Sequence, residues 1–117
     1  MSDPRRAASA ELMHIGRDDG DLRFFIRLGG EHAGGITVHS VSGDSFAYGI
    51  AVAPAMRRRG VASQALLQLF ALMKARGFSR VLVRVEPGNA ASLALHRRLG
   101  FERVGERGGA ILLERAL

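Results

Sequence analysis

The stretch AVAPAMRRRGVASQALLQLF sets three consecutive arginines, Arg57, Arg58 and Arg59, directly before Gly60 and an apolar helical pattern. The first N–H groups of a helix have no intrahelical partner, and the helix dipole adds roughly half a positive charge there. A glycine at that point lets a phosphate reach the main-chain donors, and arginine adds paired donors matched to phosphate oxygens. Two blander readings stand beside this one: solvated loop charges, or part of a nucleic-acid patch. The loop carries neither the Gly-Lys-Ser/Thr of a P-loop nor the Gly-x-Gly-x-x-Gly dinucleotide fingerprint. With no cysteine there is no disulfide frame, no thiolate nucleophile and no thiolate metal site.

A phosphate held in that way needs a strand leading into the loop and a helix leading out. The residues Ser45–Val52 read as the strand, with Phe46, Tyr48, Ile50 and Val52 on one face and Ala47, Gly49 and Ala51 on the other. Pro54 ends it, having no N–H to donate. Ala62, Leu66, Leu69, Phe70 and Met73 then form one stripe of an amphipathic helix, stopped at Gly77. Before this pair, Leu22, Phe24, Ile26 and Leu28 alternate with Arg23, Phe25 and Arg27 as a half-buried strand. Gly29-Gly30 makes a hairpin turn into a second strand through Ile36 and Val38. After it, RVLVRV reads as a buried central strand and Asn89–Leu99 as a second helix capped by Gly100 and Phe101. The tail reads as a hairpin turning at Gly108-Gly109.

The order is β-β-β-α-β-α-β-β: one α+β domain over residues 1–117 with a mixed, mostly antiparallel sheet and two main helices, residues 1–11 being a loose tail. At 117 residues the chain has room for one modest core. No run approaches the ~18 apolar residues of a membrane span, and the start lacks the apolar core of a secretory signal. A cytoplasmic location is the expectation. The charge of +6 is lopsided, since residues 51–117 hold twelve Lys/Arg against four acids. That balance favours anionic partners, either a polyphosphate ligand or nucleic acid. The aromatics are few and form no stacking pattern, which disfavours nucleic acid.

Two motifs now carry a resemblance. IAVAPAMRRRGVAS is similar to the acyl-CoA-binding core of the GCN5-related N-acetyltransferase (GNAT) superfamily, whose signature Arg/Gln-x-x-Gly-x-Gly/Ala is met by Arg57, Gly60 and Ala62. NAASLALHRRLGF resembles the family's second mark, an Asn opening a helix that ends in Leu-Gly-Phe. The resemblance implies a direct transfer of an acetyl group from acetyl-CoA, without a metal, to a primary amine of a small molecule, peptide or protein. It implies that Ile50, Ala51 and Val52 pair with the pantetheine arm. The pyrophosphate would lie on the main chain of Arg58, Arg59, Gly60, Val61, Ala62 and Ser63, with the arginine side chains supplying charge. It also implies a parallel contact between the strands ending near Val52 and Val85, parting at their C-terminal ends. Asn89 matches the family's Asn near the pantetheine, and it is equally a helix N-cap.

The pattern departs from the family in three places. Where members that use a general acid often carry Tyr, this chain has His96, which can also donate a proton or simply pack beside Leu95 and Leu99. Where the ribosomal-protein-acetylating branch has a glutamate base, this chain has Arg84; Glu86, Tyr48 and His39 are the alternatives, or a water relay. Most members place two helices before the hairpin, which implies here an open acceptor side or one completed by a second copy in a homodimer. A catalytically degenerate acyl-CoA-binding or regulatory domain is the alternative function.

Overall fold

A computed structural model of the chain describes residues 10–18, 21–57 and 60–117, and it begins with a strand that the sequence pattern does not announce, β1 (Ala10–Asp18). Residues 10 and 11, read as the end of a loose tail, open this strand; the rest of that tail lies outside the described residues. Ala10 is buried and Leu12 half-buried, while Glu11, Met13, His14, Ile15 and Arg17 are exposed, and the register shifts between His14 and Gly16. Such an edge strand has too little apolar alternation to be legible. Its main chain is held instead by two glutamines one turn apart on helix α1 (Val61–Ala75). Ala10 N–H donates to Gln64 Oε1 at 2.7 Å, Leu12 N–H to Gln68 Oε1 at 3.2 Å, and Gln68 Nε2 to the Ala10 carbonyl at 2.6 Å. These bonds satisfy groups that an edge strand would otherwise leave open.

The alternation read in the next strand, β2 (Asp21–Leu28), is realised as Leu22, Phe24, Ile26 and Leu28 buried and Arg23, Phe25 and Arg27 exposed. Gly29 and Gly30, at φ 59° and 83°, turn it into β3 (Glu31–Ser42), as a two-residue hairpin with left-handed backbone requires. The chain then returns as β4 (Ser45–Val52). At Gly34 a Cβ would collide with the Ala51 carbonyl oxygen, so only glycine lets β3 and β4 approach there. Following α1 come β5 (Arg80–Val85), α2 (Ala90–Arg98), β6 (Glu102–Arg107) and β7 (Ala110–Ala116). The sheet order is β1-β2-β3-β4-β5-β7-β6, antiparallel except for the parallel pair β4/β5. The mixed sheet and two helices agree with the sequence reading, with one strand added at the front.

Both helices contribute to the same side of the sheet. Val61, Ala65, Leu66, Leu69, Phe70 and Met73 of α1 are buried with Phe24, Ile36, Phe46, Val81 and Val83. Each large side chain fully buried there contributes roughly 1.5–3 kcal/mol. Ala62, assigned to this stripe from spacing, is only half-buried. α2 ends as its sequence indicates: Gly100 (φ 88°) donates to the Arg97 carbonyl and Phe101 N–H to the His96 carbonyl, both at 3.0 Å, a Schellman cap. The opposite face of the sheet, carrying Arg23, Phe25, Gly49, Ala51 and Arg84, has no helix over it among the described residues.

Candidate functional site

β4 and β5 pair for three residues only, Ser45–Ala47 against Arg80–Leu82. Beyond that point β4 runs on to Val52, while β5 is paired with β7 alone. Among the described residues the β5-side edge of Tyr48–Val52 therefore has no ladder partner, which leaves main-chain groups for an extended ligand. Past Val52 the chain makes a single 3₁₀ turn at Pro54–Met56. It then reaches Gly60, whose φ of 71° and ψ of 12° are left-handed, immediately before α1. A side chain at that backbone conformation is strained. The first helical bond is Gln64 N–H to the Gly60 carbonyl at 3.1 Å, so the N–H groups of Val61, Ala62 and Ser63 have no intrahelical acceptor.

These donors open on a cavity of about 460 Å³. Val52, Met56 and Arg57 line it from the loop, Gly60–Ser63 from α1, and Ala91, Ser92, Leu95 and Arg98 from α2. Residues of two sequence motifs thus face one space. The structure brings Val52, Arg57, Gly60, Val61, Ala62 and Ser63 together there. Ile50 and Ala51 are upstream on β4, Ile50 packed against the core and Ala51 exposed, so only their main chain is available to that edge. Arg57 Nε donates to the Val52 carbonyl at 3.2 Å, which ties the loop to the end of β4. Arg58 and Arg59 lie outside the described residues. Asn89 caps α2, its Oδ1 accepting from Ser92 N–H at 3.1 Å. The α2 contribution escaped sequence reasoning, although 91, 95 and 98 are spaced i, i+4, i+7 and could have been read as one helical face. The cradle suits the pyrophosphate and pantetheine of an acyl-CoA: bare main-chain donors, glycine clearance, arginine at the rim and an open strand edge.

His96, read from sequence as a proton donor at the thioester, is 1% exposed and lines neither this cavity nor the next. Its Nδ1 lies 2.7 Å from the Ser92 carbonyl, which can only accept, so Nδ1 carries the proton. Nε2 is then the acceptor for the Tyr48 hydroxyl at 2.8 Å. Burial lowers the imidazole's pKa below 6.5, partly offset by the bond to Ser92, and burial pushes the Tyr48 phenol well above its ordinary 10. Both groups are neutral at pH 7. Phe70 and Phe101 complete the cluster, with Arg115 stacked 5.0 Å over the Phe70 ring and bonded to the Leu99 carbonyl.

A second cavity of about 670 Å³ opens on the helix-free face. His39 of β3, Ala47–Gly49 of β4, Leu82–Arg84 of β5, Glu86, Arg107 and Leu112 line it. β4 therefore lines both spaces, Val52 the first and Ala47–Gly49 the second. Among the sequence candidates for a base, Glu86, Tyr48 and His39 all border this second cavity. Among the described residues, no group of three or more acids or histidines is placed to hold a metal, and no helix is long and apolar enough to cross a membrane.

The family model described as the acetyltransferase (GNAT) family matches residues 2–101. The L-methionine sulfoximine/L-methionine sulfone acetyltransferase of Pseudomonas aeruginosa is 44% identical over 50 residues, which is 43% of this chain and 29% of that protein. The chain thus matches less than a third of the length of this curated relative. Among solved structures, Mycobacterium smegmatis RimJ in complex with CoA-disulfide superposes with a TM-score of 0.72 at 29% identity, covering 83% of this chain and 54% of that one. PaiA N-acetyltransferase of Thermoplasma acidophilum in complex with coenzyme A superposes with a TM-score of 0.77 at 15% identity, covering 83% and 61%. Motif, strand parting and family model agree: the chain belongs to the GNAT acetyltransferase family.

Proposed function

We propose that the chain is an N-acetyltransferase that moves the acetyl group of acetyl-CoA directly to a primary amine. The observation that carries this reading is the pair of cavities bordered by β4, one built of main-chain donors and the other of ionisable side chains. Val61–Ser63 N–H groups and Gly60 would hold the pyrophosphate, the open edge of Tyr48–Val52 the pantetheine arm, and Arg57 and Arg98 the outer charge. Acetyl-CoA supplies an activated thioester. The chain's own work is then to orient it, to bring the amine alongside and to take up its proton. Glu86, which borders the second cavity, would receive that proton. Tyr48, the first residue of β4 beyond its pairing with β5, would supply a hydroxyl, and His96, bonded to that hydroxyl, would act as its positioning partner. The relative from Pseudomonas aeruginosa acts, by name, on amino-acid derivatives, which supports a small-molecule acceptor. A second copy of the chain closing the open acceptor side belongs to the same proposal, favoured by exposed Met13 and Phe25 on that face.

The test is turnover of acetyl-CoA against a panel of amines, run beside acetyl-CoA binding by calorimetry. Binding that weakens with salt together with turnover of at least one amine is the expected result. An acyl-CoA-binding domain without catalysis is the second reading, favoured by the burial of His96 away from both cavities. Tight binding with no turnover across the panel would establish it instead.

A further inference from the structure

The cavity on the helix-free face holds two arginines, Arg84 and Arg107, that acyl transfer alone leaves unused. We infer that it selects acceptors whose primary amine stands beside a free carboxylate, Arg84 and Arg107 taking the carboxylate and Glu86 facing the ammonium. This inference rests on the acetyltransferase reading and names its acceptor class.

Arg84 occupies the position where the resemblance places a carboxylate base, and its guanidinium does other work. Its Nη2 donates to the Arg107 carbonyl at 3.2 Å and lies against Gly108 in the β6–β7 turn. That bond draws the head of Arg84 across β7 to the strand that carries Arg107. Neither arginine pairs with a carboxylate among the described residues, and Glu86 pairs with no cation there. The neighbouring acids are engaged elsewhere, Glu114 with Arg80 and Glu106 with Arg103. Arg84 and Glu86 are two residues apart, on one side of the chain as it leaves β5, yet they do not meet. The cavity therefore presents two cations and one anion separately, the complement of a zwitterion with ammonium and carboxylate on one carbon. Two arginines also offer the forked donors that match a carboxylate.

The floor fits the rest of such a molecule. Ala47, Gly49, Leu82 and Leu112 are small or apolar, and a Cβ at Gly49 would meet nothing within 4 Å. An apolar side chain has room there. A peptide or protein N-terminus fits less well, because its first carboxylate is spent in the peptide bond. The chemistry thus favours a free amino acid.

The experiment compares kcat/KM for leucine, methionine and phenylalanine with that for their carboxamides, in the wild-type chain and in Arg107→Gln. The wild type should favour acids over carboxamides by about 10-fold or more, as charge-assisted bonds to arginine imply. In Arg107→Gln that ratio should collapse toward one, chiefly through KM. Arg84→Gln should act in the same direction, with a melting curve to follow the β6–β7 turn. Equal rates for acid and carboxamide in the wild type, or an unaltered ratio in both variants, would overturn the inference. Calorimetric binding of the same amino acids without acetyl-CoA separates it from the parent reading. If no amine is turned over, the acetyltransferase reading fails, and carboxylate-dependent binding lost in Arg107→Gln would still sustain this site. Absence of such binding as well would overturn it.

Discussion

The two cavities bordered by β4 are built from different materials. The one beneath α1 and α2 is bounded by main-chain N–H groups, a left-handed glycine and an open strand edge, with cations only at its rim. The one on the helix-free face is bounded by residues from five strands, His39, Arg84 and Arg107 among them, and by Glu86 just past the end of β5, over a floor of small or apolar residues. On the proposed reading, the main-chain site would recognise what every acyl-CoA shares and be insensitive to most single side chains. The side-chain site would recognise what distinguishes one acceptor from another and change with each substitution. The comparison predicts opposite responses to mutation.

The largest effect should come from Gly60→Val. It places a β-branched side chain at a left-handed position and a Cβ at the mouth of the main-chain cavity. Acetyl-CoA affinity should fall roughly 100-fold, the equivalent of losing one or two charge-assisted bonds. Calorimetry reads this, with a circular-dichroism melt to report the folded fraction. Arg57→Ala, by contrast, should weaken binding only a few-fold, since exposed charges at a rim contribute little. Comparable losses in the two variants would show that side chains rather than main chain hold the phosphate.

Next in size is Tyr48→Phe, which removes the hydroxyl bonded to His96. A role beside the thioester calls for a fall in kcat of roughly 10- to 100-fold, at the low end of proton-transfer contributions, with acetyl-CoA affinity retained. Stability should change by about 1 kcal/mol, the ordinary worth of one hydrogen bond. A full kcat would make Tyr48 and His96 core residues only.

The pH dependence of stability is a smaller effect and isolates His96. Its folded-state pKa lies below 6.5 because of burial, so as the pH falls the unfolded chain takes up this proton first. Its contribution is intact above about 6.5 and is lost as the pH drops toward the folded value. Melting temperature in the wild type should therefore fall between about pH 7.5 and 5.5, and less steeply in His96→Gln. An identical slope in the two proteins would place the titration elsewhere. The smallest effect belongs to the second cavity's floor: Gly49→Ala should leave the fold intact, because its Cβ meets nothing within 4 Å, and raise the acceptor KM by a few-fold. A change in acetyl-CoA affinity instead would mean that the cavities are not separable in this way.

Legibility followed the same division. Gly60 as the start of α1 and the apolar stripe from Leu66 to Met73 were readable because a glycine-opened helix terminus and a helix both have fixed local spacing. Asn89 and Gly100 were readable as caps for the same reason. β1 was not, because its pairing energy comes from the β2 main chain and from Gln64 and Gln68 fifty-odd residues away, rather than from its own side chains. Nor was the environment of His96. Spacing placed it on α2 beside Leu95 and Leu99, and nothing local says that Tyr48, forty-eight positions earlier, donates to its Nε2.

The amino-acid sequence by itself determined the periodic elements, their caps and the glycine-opened helix terminus, all of which depend on contacts within a few residues. Only the tertiary structure decided where along β4 and β5 the pairing stops, which α2 residues join the first cavity and which protonation states burial allows. Those outcomes depend on sheet order, on distances across β4, β5 and β7, and on the removal of water from groups such as Tyr48 and His96. No local spacing encodes them.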